Sequence, residues 1–99
     1  MSPAQRVRFL ARAVEEVAEI DAWWRAHRDA SNLFAREFSE TVTLLVQAPT
    51  LGAPAVTLSL TGVRRVLLRK TRYHVYFRVI GDTVEVLAVW HAMREPPGL

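Results

Sequence analysis

Apolar and polar positions alternate most regularly between Val63 and His91, VRRVLLRKTRYHVYFRVIGDTVEVLAVWH. Three apolar-rich runs, at 63–69, 73–80 and 83–90, are separated by the polar breaks Lys70-Thr71-Arg72 and Gly81-Asp82. Val, Leu, Tyr and Phe dominate them, and such residues suit a pleated, half-buried surface. In the middle run Tyr73, Val75, Phe77 and Val79 share one side, against His74, Tyr76, Arg78 and Ile80. In the last run Val84, Val86, Ala88 and Trp90 share a side opposite Glu85, Leu87 and Val89. Period two is the pattern of a strand. Gly81-Asp82 predicts a two-residue hairpin, because glycine accepts the positive φ that opens a type II′ turn. A three-stranded antiparallel meander follows, and the rest of the chain must cover it.

Ahead of the meander the period changes. Residues 5–11 alternate, with Val7 and Phe9 opposite Arg6, Arg8 and Leu10, and predict a short first strand, parallel or antiparallel to its neighbour. Ala13, Val17, Ile20, Trp24 and His27 then recur at spacings of four and three in a segment free of Pro and Gly, which is one face of a helix. Its carboxylates, Glu15, Glu16, Glu19 and Asp21, lie in the first half and Arg25 and Arg28 near the end, as the helix dipole favours. Trp23 lies beside that face, either packed on a neighbouring element or exposed as an anchor.

A second helix is predicted from about Asn32 to Gln47, capped by Asp29 or Ser31 and burying Phe34, Phe38, Val42 and Leu45. Pro49, Gly52 and Pro54 end it. The short break between the helices predicts an antiparallel hairpin. Residues 49–62 read as a loop containing the β-forming Val56-Thr57-Leu58, and the tail after Trp90 carries two prolines and a glycine. The expected architecture is α+β in the order β-α-α-β-β-β, a helical hairpin packed on one face of a small antiparallel sheet. Ninety-nine residues support one domain, residues 1–99, with a single modest core.

Composition narrows the chemistry. With no cysteine there is no disulfide and no thiolate metal site, which fits a reducing compartment. No apolar run approaches the ~20 residues of a membrane span, and the first residues lack the apolar core of a signal peptide, so the expected location is the cytoplasm. The formal charge of +3 is unevenly placed. From Val63 onward Arg64, Arg65, Arg69, Lys70, Arg72, Arg78 and Arg94 face only Asp82, Glu85 and Glu95, whereas the first part is close to neutral. A basic sheet fits nucleic acid or an acidic protein segment, and it equally fits arginines that blunt strand edges. No glycine-rich phosphate loop and no histidine–carboxylate cluster at metal spacing is present, so no cofactor, metal or small-molecule substrate is expected.

Several phrases together resemble the RelE/ParE superfamily of type II toxin–antitoxin toxins, over nearly the whole chain. They are the acidic first helix AVEEVAEIDAWW, the aromatic second helix ending at Pro49-Thr50-Leu51-Gly52, the strand Arg72-Tyr73-His74-Val75-Tyr76-Phe77-Arg78-Val79, and GDTVEVLAVWH followed by Arg94. The resemblance implies one of two activities. RelE-like members are ribosome-dependent nucleases that cut messenger RNA with the 2′-hydroxyl as nucleophile, which needs a base, a cation for the phosphate and an acid. Of the family's basic set this chain keeps Arg69, Lys70, His74, His91 and Arg94, with His74 where RelE often has arginine and no tyrosine after Trp90. ParE-like members instead inhibit DNA gyrase by binding, with no catalytic residue. The incomplete nuclease set and the phrase Tyr-x-x-Tyr-Phe-Arg-Val favour ParE, with a RelE-like endoribonuclease and a non-toxic interaction module as alternatives.

The resemblance also implies a cognate antitoxin whose C-terminal segment wraps the toxin. Arg65 and Arg69, with Leu68, Ile80 and Leu87 on the sheet face away from the helices, are its expected contacts. Trp90, His91, Met93 and Arg94 are the expected contacts to the target, gyrase or else the ribosome and its messenger, with the helix hairpin as a second surface. Asp82 and Glu85 read as turn and surface carboxylates, and His27 as a structural residue of the helix face.

Overall fold

A computed structural model describes residues 3–99. β1 (Arg6–Phe9) leads into α1 (Ala11–His27), and the break at 28–32 into α2 (Leu33–Gln47). Then come a two-residue strand, β2 (Ala53–Pro54), and the meander β3 (Arg64–Leu68), β4 (Tyr73–Ile80) and β5 (Thr83–His91). The sheet order is β1-β5-β4-β3-β2. β1 runs parallel to β5, with Arg6 opposite Thr83 and Phe9 opposite Val86, so the sheet is mixed; its other pairs are antiparallel. Among the described residues no helix is long and apolar enough to cross a membrane.

The β4–β5 hairpin closes at Gly81-Asp82 with Ile80 opposite Thr83. Gly81 has φ +60°, and Asp82 is not among the positive-φ residues, which is the combination a type II′ turn requires. α2 departs from the expected cap. Neither Asp29 nor Ser31 holds its first turn; Asn32 occupies the cap position with φ −102° and ψ 8°, and no side chain bonds to the free N–H groups. That backbone is not the extended form that aims a capping oxygen at the first turn. Gly52, just before β2, has φ +81°, and a Cβ there would sit 2.3 Å from the Arg65 carbonyl oxygen. Only glycine lets β2 approach β3 this closely.

The main core lies between the helices and the sheet. Ala13 of α1 and Phe34 and Leu45 of α2 are fully buried against Leu68, Val75, Phe77, Val84, Val86 and Val89, with Val17, Ile20, Trp24, Phe38 and Tyr73 closing the rim. Phe34 and Phe77 alone each contribute about 1.5–3 kcal/mol of burial. His27, expected on the same face, is exposed: its Nδ1–H donates to the Trp23 carbonyl (2.8 Å) and its ring stacks on Trp23.

Strict alternation fails in β5. Tyr76 lies opposite Ala88 but Phe77 lies opposite Val86, so Leu87 is an extra residue on the β5 side. Such a bulge reverses the facing of everything beyond it. Val84 and Val86 face the helices as expected; past the bulge it is Val89 that joins that core, while Leu87 and Ala88 enter a second cluster on the far side. The second cluster joins Val63, Tyr76, Leu87 and Ala88 to Leu10, Ala55, Leu60, Trp90 and Leu99. The far face is therefore partly roofed by the 55–60 loop and the tail, with Leu58 and Ser59 N–H groups donating to the Leu99 oxygen. Two expected anchors are corrected. Leu68 points into the helix-side core and Leu87 is buried beneath the tail, so neither is open to a partner; Ile80, at 48% exposure, is.

Glu85 is no surface carboxylate either. It is buried on the far face, takes Arg78 Nε at 2.9 Å, and pairs with Arg8, tying β1, β5 and β4 together. The hydrogen bond from Arg8 is the main cause that holds its carboxyl below the ordinary glutamate range, outweighing the opposing effect of burial. A depressed folded pKa stabilises above the unfolded value, about 4.3, and that contribution is lost as pH falls through the lower folded value. Glu85→Gln is expected to lower stability by about 1–2 kcal/mol at pH 7. In urea melts across pH, the gap from the parent should shrink below pH 4; a gap independent of pH contradicts the assignment.

Candidate functional site

Two cavities flank the end of the sheet where β3 turns into β4 and β5 ends. That turn is strongly held. Arg72 sits at φ +70°, an unfavourable conformation for a residue with a side chain, and its N–H donates to the Leu68 oxygen at 2.8 Å. Its own carbonyl accepts the Ala92 N–H at 2.9 Å. From α2, the Glu37 carboxylate accepts the Lys70 and Thr71 backbone N–H groups and the Thr71 hydroxyl. The helix layer thereby sets where the turn's basic side chains begin.

The first cavity, of about 640 Å³, opens on the far face and is lined by Gly52, Arg65, Leu67, Arg69, Arg72 and His74 among others. Period two places Arg65 and Leu67 of β3 beside His74 and Tyr76 of β4, and Arg65 Nη1 reaches the Tyr76 hydroxyl at 3.5 Å. Burial pushes His74 below its ordinary value near 6.5, and the nearby charges of Arg65 and Arg72 add to the shift. At neutral pH the ring is uncharged among arginines. It can accept a proton, and the guanidiniums can hold an anion, but no carboxylate lines the cavity to serve as the acid.

The second cavity, of about 630 Å³, lies on the other side, between α1 and the end of β5. The bulge decides what reaches it. His91, opposite Tyr73, turns to the helix side, and its ring meets Tyr73 edge-on at 5.1 Å. Its Nδ1 accepts the Met93 N–H at 3.1 Å, which leaves the proton on Nε2. The Arg94 guanidinium lies 3.9 Å from the Trp90 ring centroid, and Trp90 Nε1 donates to the Glu95 oxygen.

The basic residues expected to act together are thus divided. Arg69 and His74 share the first cavity, His91 and Arg94 line the second, and Lys70 lies exposed on the turn in neither. Met93 is 85% exposed beside the second. Sequence reasoning missed Arg72 as a lining residue, whose position depends on its φ, and Trp24, Arg28 and Glu16, which reach the second cavity from α1. Spacing had assigned Trp24 to the core, and its ring does pack there; the missed signal was the run Trp23-Trp24 followed by Arg28. Among the described residues no group of three His, Cys, Asp or Glu side chains is placed to hold a metal ion.

The whole arrangement matches a known family. The model of the "ParE toxin of type II toxin-antitoxin system, parDE" matches residues 7–96. The chain belongs to the ParE toxin family. Among solved structures it is similar to a chain of the chromosomal ParDE system from P. aeruginosa, at TM-score 0.70 and 19% identity over 87% of this chain and 94% of that one. It is also similar to a chain of the Mycobacterium tuberculosis RelBE2 complex, at TM-score 0.64 and 20% identity over 92% and 93%. A chain of the intact E. coli RelBE complex gives TM-score 0.59 and 20% identity over 89% and 96%. At these identities the structures establish a shared fold. No curated protein matches the chain.

For this ParE-family toxin the ionisation of His74 is directly measurable. Its ring is expected to titrate by NMR with a midpoint below 6.5. Because the unfolded histidine takes its proton first, His74 lowers stability as pH falls through about 6.5 toward its own midpoint. Arg65→Ala should raise the midpoint part of the way back, since burial remains. A midpoint at or above 6.5 in the parent contradicts this environment.

Proposed function

We propose that this ParE-family toxin inhibits DNA gyrase by binding it, with no covalent chemistry of its own, and that a cognate antitoxin holds it in check. The observation that supports this reading is the division of the basic set. Strand cleavage through a 2′-hydroxyl needs base, phosphate cation and acid around one phosphorus atom. Here His74 and His91 lie on opposite sides of the sheet. What remains at the end of β5, namely Trp90, His91, Met93 and Arg94, is an aromatic and basic surface suited to a protein contact. We assign it to the target.

The far face is assigned to the antitoxin. The similar chains from M. tuberculosis and E. coli come from toxin–antitoxin complexes. On this chain Arg65 and Arg69 are exposed there and Ile80 offers an apolar contact at the hairpin end. Arg65→Glu with Arg69→Glu is expected to weaken antitoxin binding at least tenfold at low salt, read by calorimetry; unchanged affinity contradicts the assignment.

A second reading keeps one specific observation in its favour. An uncharged His74 beside Arg65 and Arg72 is two-thirds of a ribonuclease site, so ribosome-dependent messenger cleavage is the alternative. Gyrase supercoiling with the purified chain titrated in separates the two. Inhibition near stoichiometry with cleaved DNA accumulating is the expected result. Full gyrase activity, together with messenger cleavage on ribosomes that His74→Ala abolishes, overturns it.

A further inference from the structure

The cavity between α1 and the end of β5 has an unusual wall. Trp23, Trp24 and Tyr73 line one opening together with Arg28 and Arg94, and Trp90 reaches it from the strand edge where it also packs on the far-side cluster. Each guanidinium rests on an indole: Arg28 lies 5.1 and 5.6 Å from the Trp23 and Trp24 ring centroids, Arg94 3.9 Å from that of Trp90. Stacking holds both cations against the indoles, and neither forms an ion pair among the described residues. Trp, Tyr and Arg are the residue types that dominate the energetics of protein interfaces.

Two further details concern the tryptophans of this wall. Trp24 Nε1 is buried and has no acceptor among the described residues. A buried donor of this kind ordinarily has a partner, because leaving it unmade is costly. Trp23, on the same wall, stays 42% exposed although the His27 ring and the Arg28 guanidinium lie against it. Of the two carboxylates at the opening, Glu16 is committed to Arg12 and to the Val89 N–H, and Glu19 adds a single acidic point on the helix wall. A nucleic acid carries a charge at every phosphate and would meet Glu19 as well as the arginines, whereas a peptide can bring isolated carboxylates to the arginines alone.

We infer that this cavity is a docking site for an acidic polypeptide segment, which seats one bulky apolar side chain among the tryptophans and places carboxylates on Arg28 and Arg94. The inference rests on the reading that this end of the toxin meets a protein. It goes further in naming the chemistry of the bound segment and in adding Trp23, Trp24 and Arg28 of α1 to the site.

The test uses the full chain, with no gyrase or antitoxin present, so it fails or succeeds independently of the supercoiling assay. A random display library of twelve-residue peptides is selected on the immobilised protein, and the enriched peptides are synthesised. They are expected to carry an aromatic or large aliphatic residue flanked by Asp or Glu. In ¹⁵N spectra they should move the three indole N–H resonances. Arg28→Glu and Arg94→Glu should each weaken binding tenfold or more, whereas Arg36→Glu, on the exposed side of α2, leaves it unchanged. Indole resonances in the free variants confirm that they fold. Enrichment of basic or uncharged peptides overturns the inference. So does enrichment of none, binding insensitive to Arg28 and Arg94, or an oligonucleotide that moves the same resonances more strongly than any peptide.

Discussion

One extra residue in β5 governs how the two faces of this molecule are divided. With strict alternation Ala88 and Trp90 would turn toward the helices and Val89 away from them. The bulge at Leu87 reverses this, sending Val89 into the main core and leaving Leu87 and Ala88 to a second, smaller one. Bulges bend and retwist a strand where they interrupt pairing, and here the interruption falls close to where β1 ends against Val86. Beyond that point α1 replaces β1 along the edge, and Glu16 accepts the Val89 N–H that a neighbouring strand would otherwise take. The same residue therefore repairs an exposed sheet edge and ties the first helix to the functional end of β5.

The consequence is chemical. His74 lies on β4, whose alternation is unbroken, and faces the far side with Arg65 and Arg72; His91 follows the bulge in β5 and faces the helix side with Tyr73. Two histidines that lie near each other in the sheet, on paired strands, serve different cavities. Both surfaces are rigidly based, the far one by the Glu37-held turn and the Arg8–Glu85–Arg78 tie, the other by cations stacked on indoles.

The layered fold was legible because its periods are long and clean. The eight residues of β4 alternate without interruption, Gly81-Asp82 names its own turn, and Pro49 ends α2 where the apolar stripe ends. What was not legible depends on contacts between distant segments. Leu87 and Val89 look alike in a pattern, and only the pairing with Tyr76 and Phe77 shows which faces inward. Glu85 reads as polar and exposed until Arg8, seventy-seven residues away in sequence, is brought beside it. Leu68 was assigned to the open face although its alternation with Val66 places it with the core, and Leu87 was assigned there without the tail that covers it. The candidate residues are basic and aromatic in the sequence, but they had to be placed in the fold before they could be divided between two cavities.

The most direct measurement of this division is a set of distance contacts by NMR across the end of the sheet. The account predicts cross-peaks from the His91 ring to Tyr73 and from Val89 methyls to Ile20 or Tyr73, on one side. It predicts cross-peaks from the His74 ring to Tyr76 and from Leu87 methyls to Tyr76 or Leu99, on the other. Val89 contacting Leu99, or His91 sharing contacts with His74 and Tyr76, would mean that the strand is unbulged and both histidines serve one cavity, and the binding account would then give way to a catalytic one.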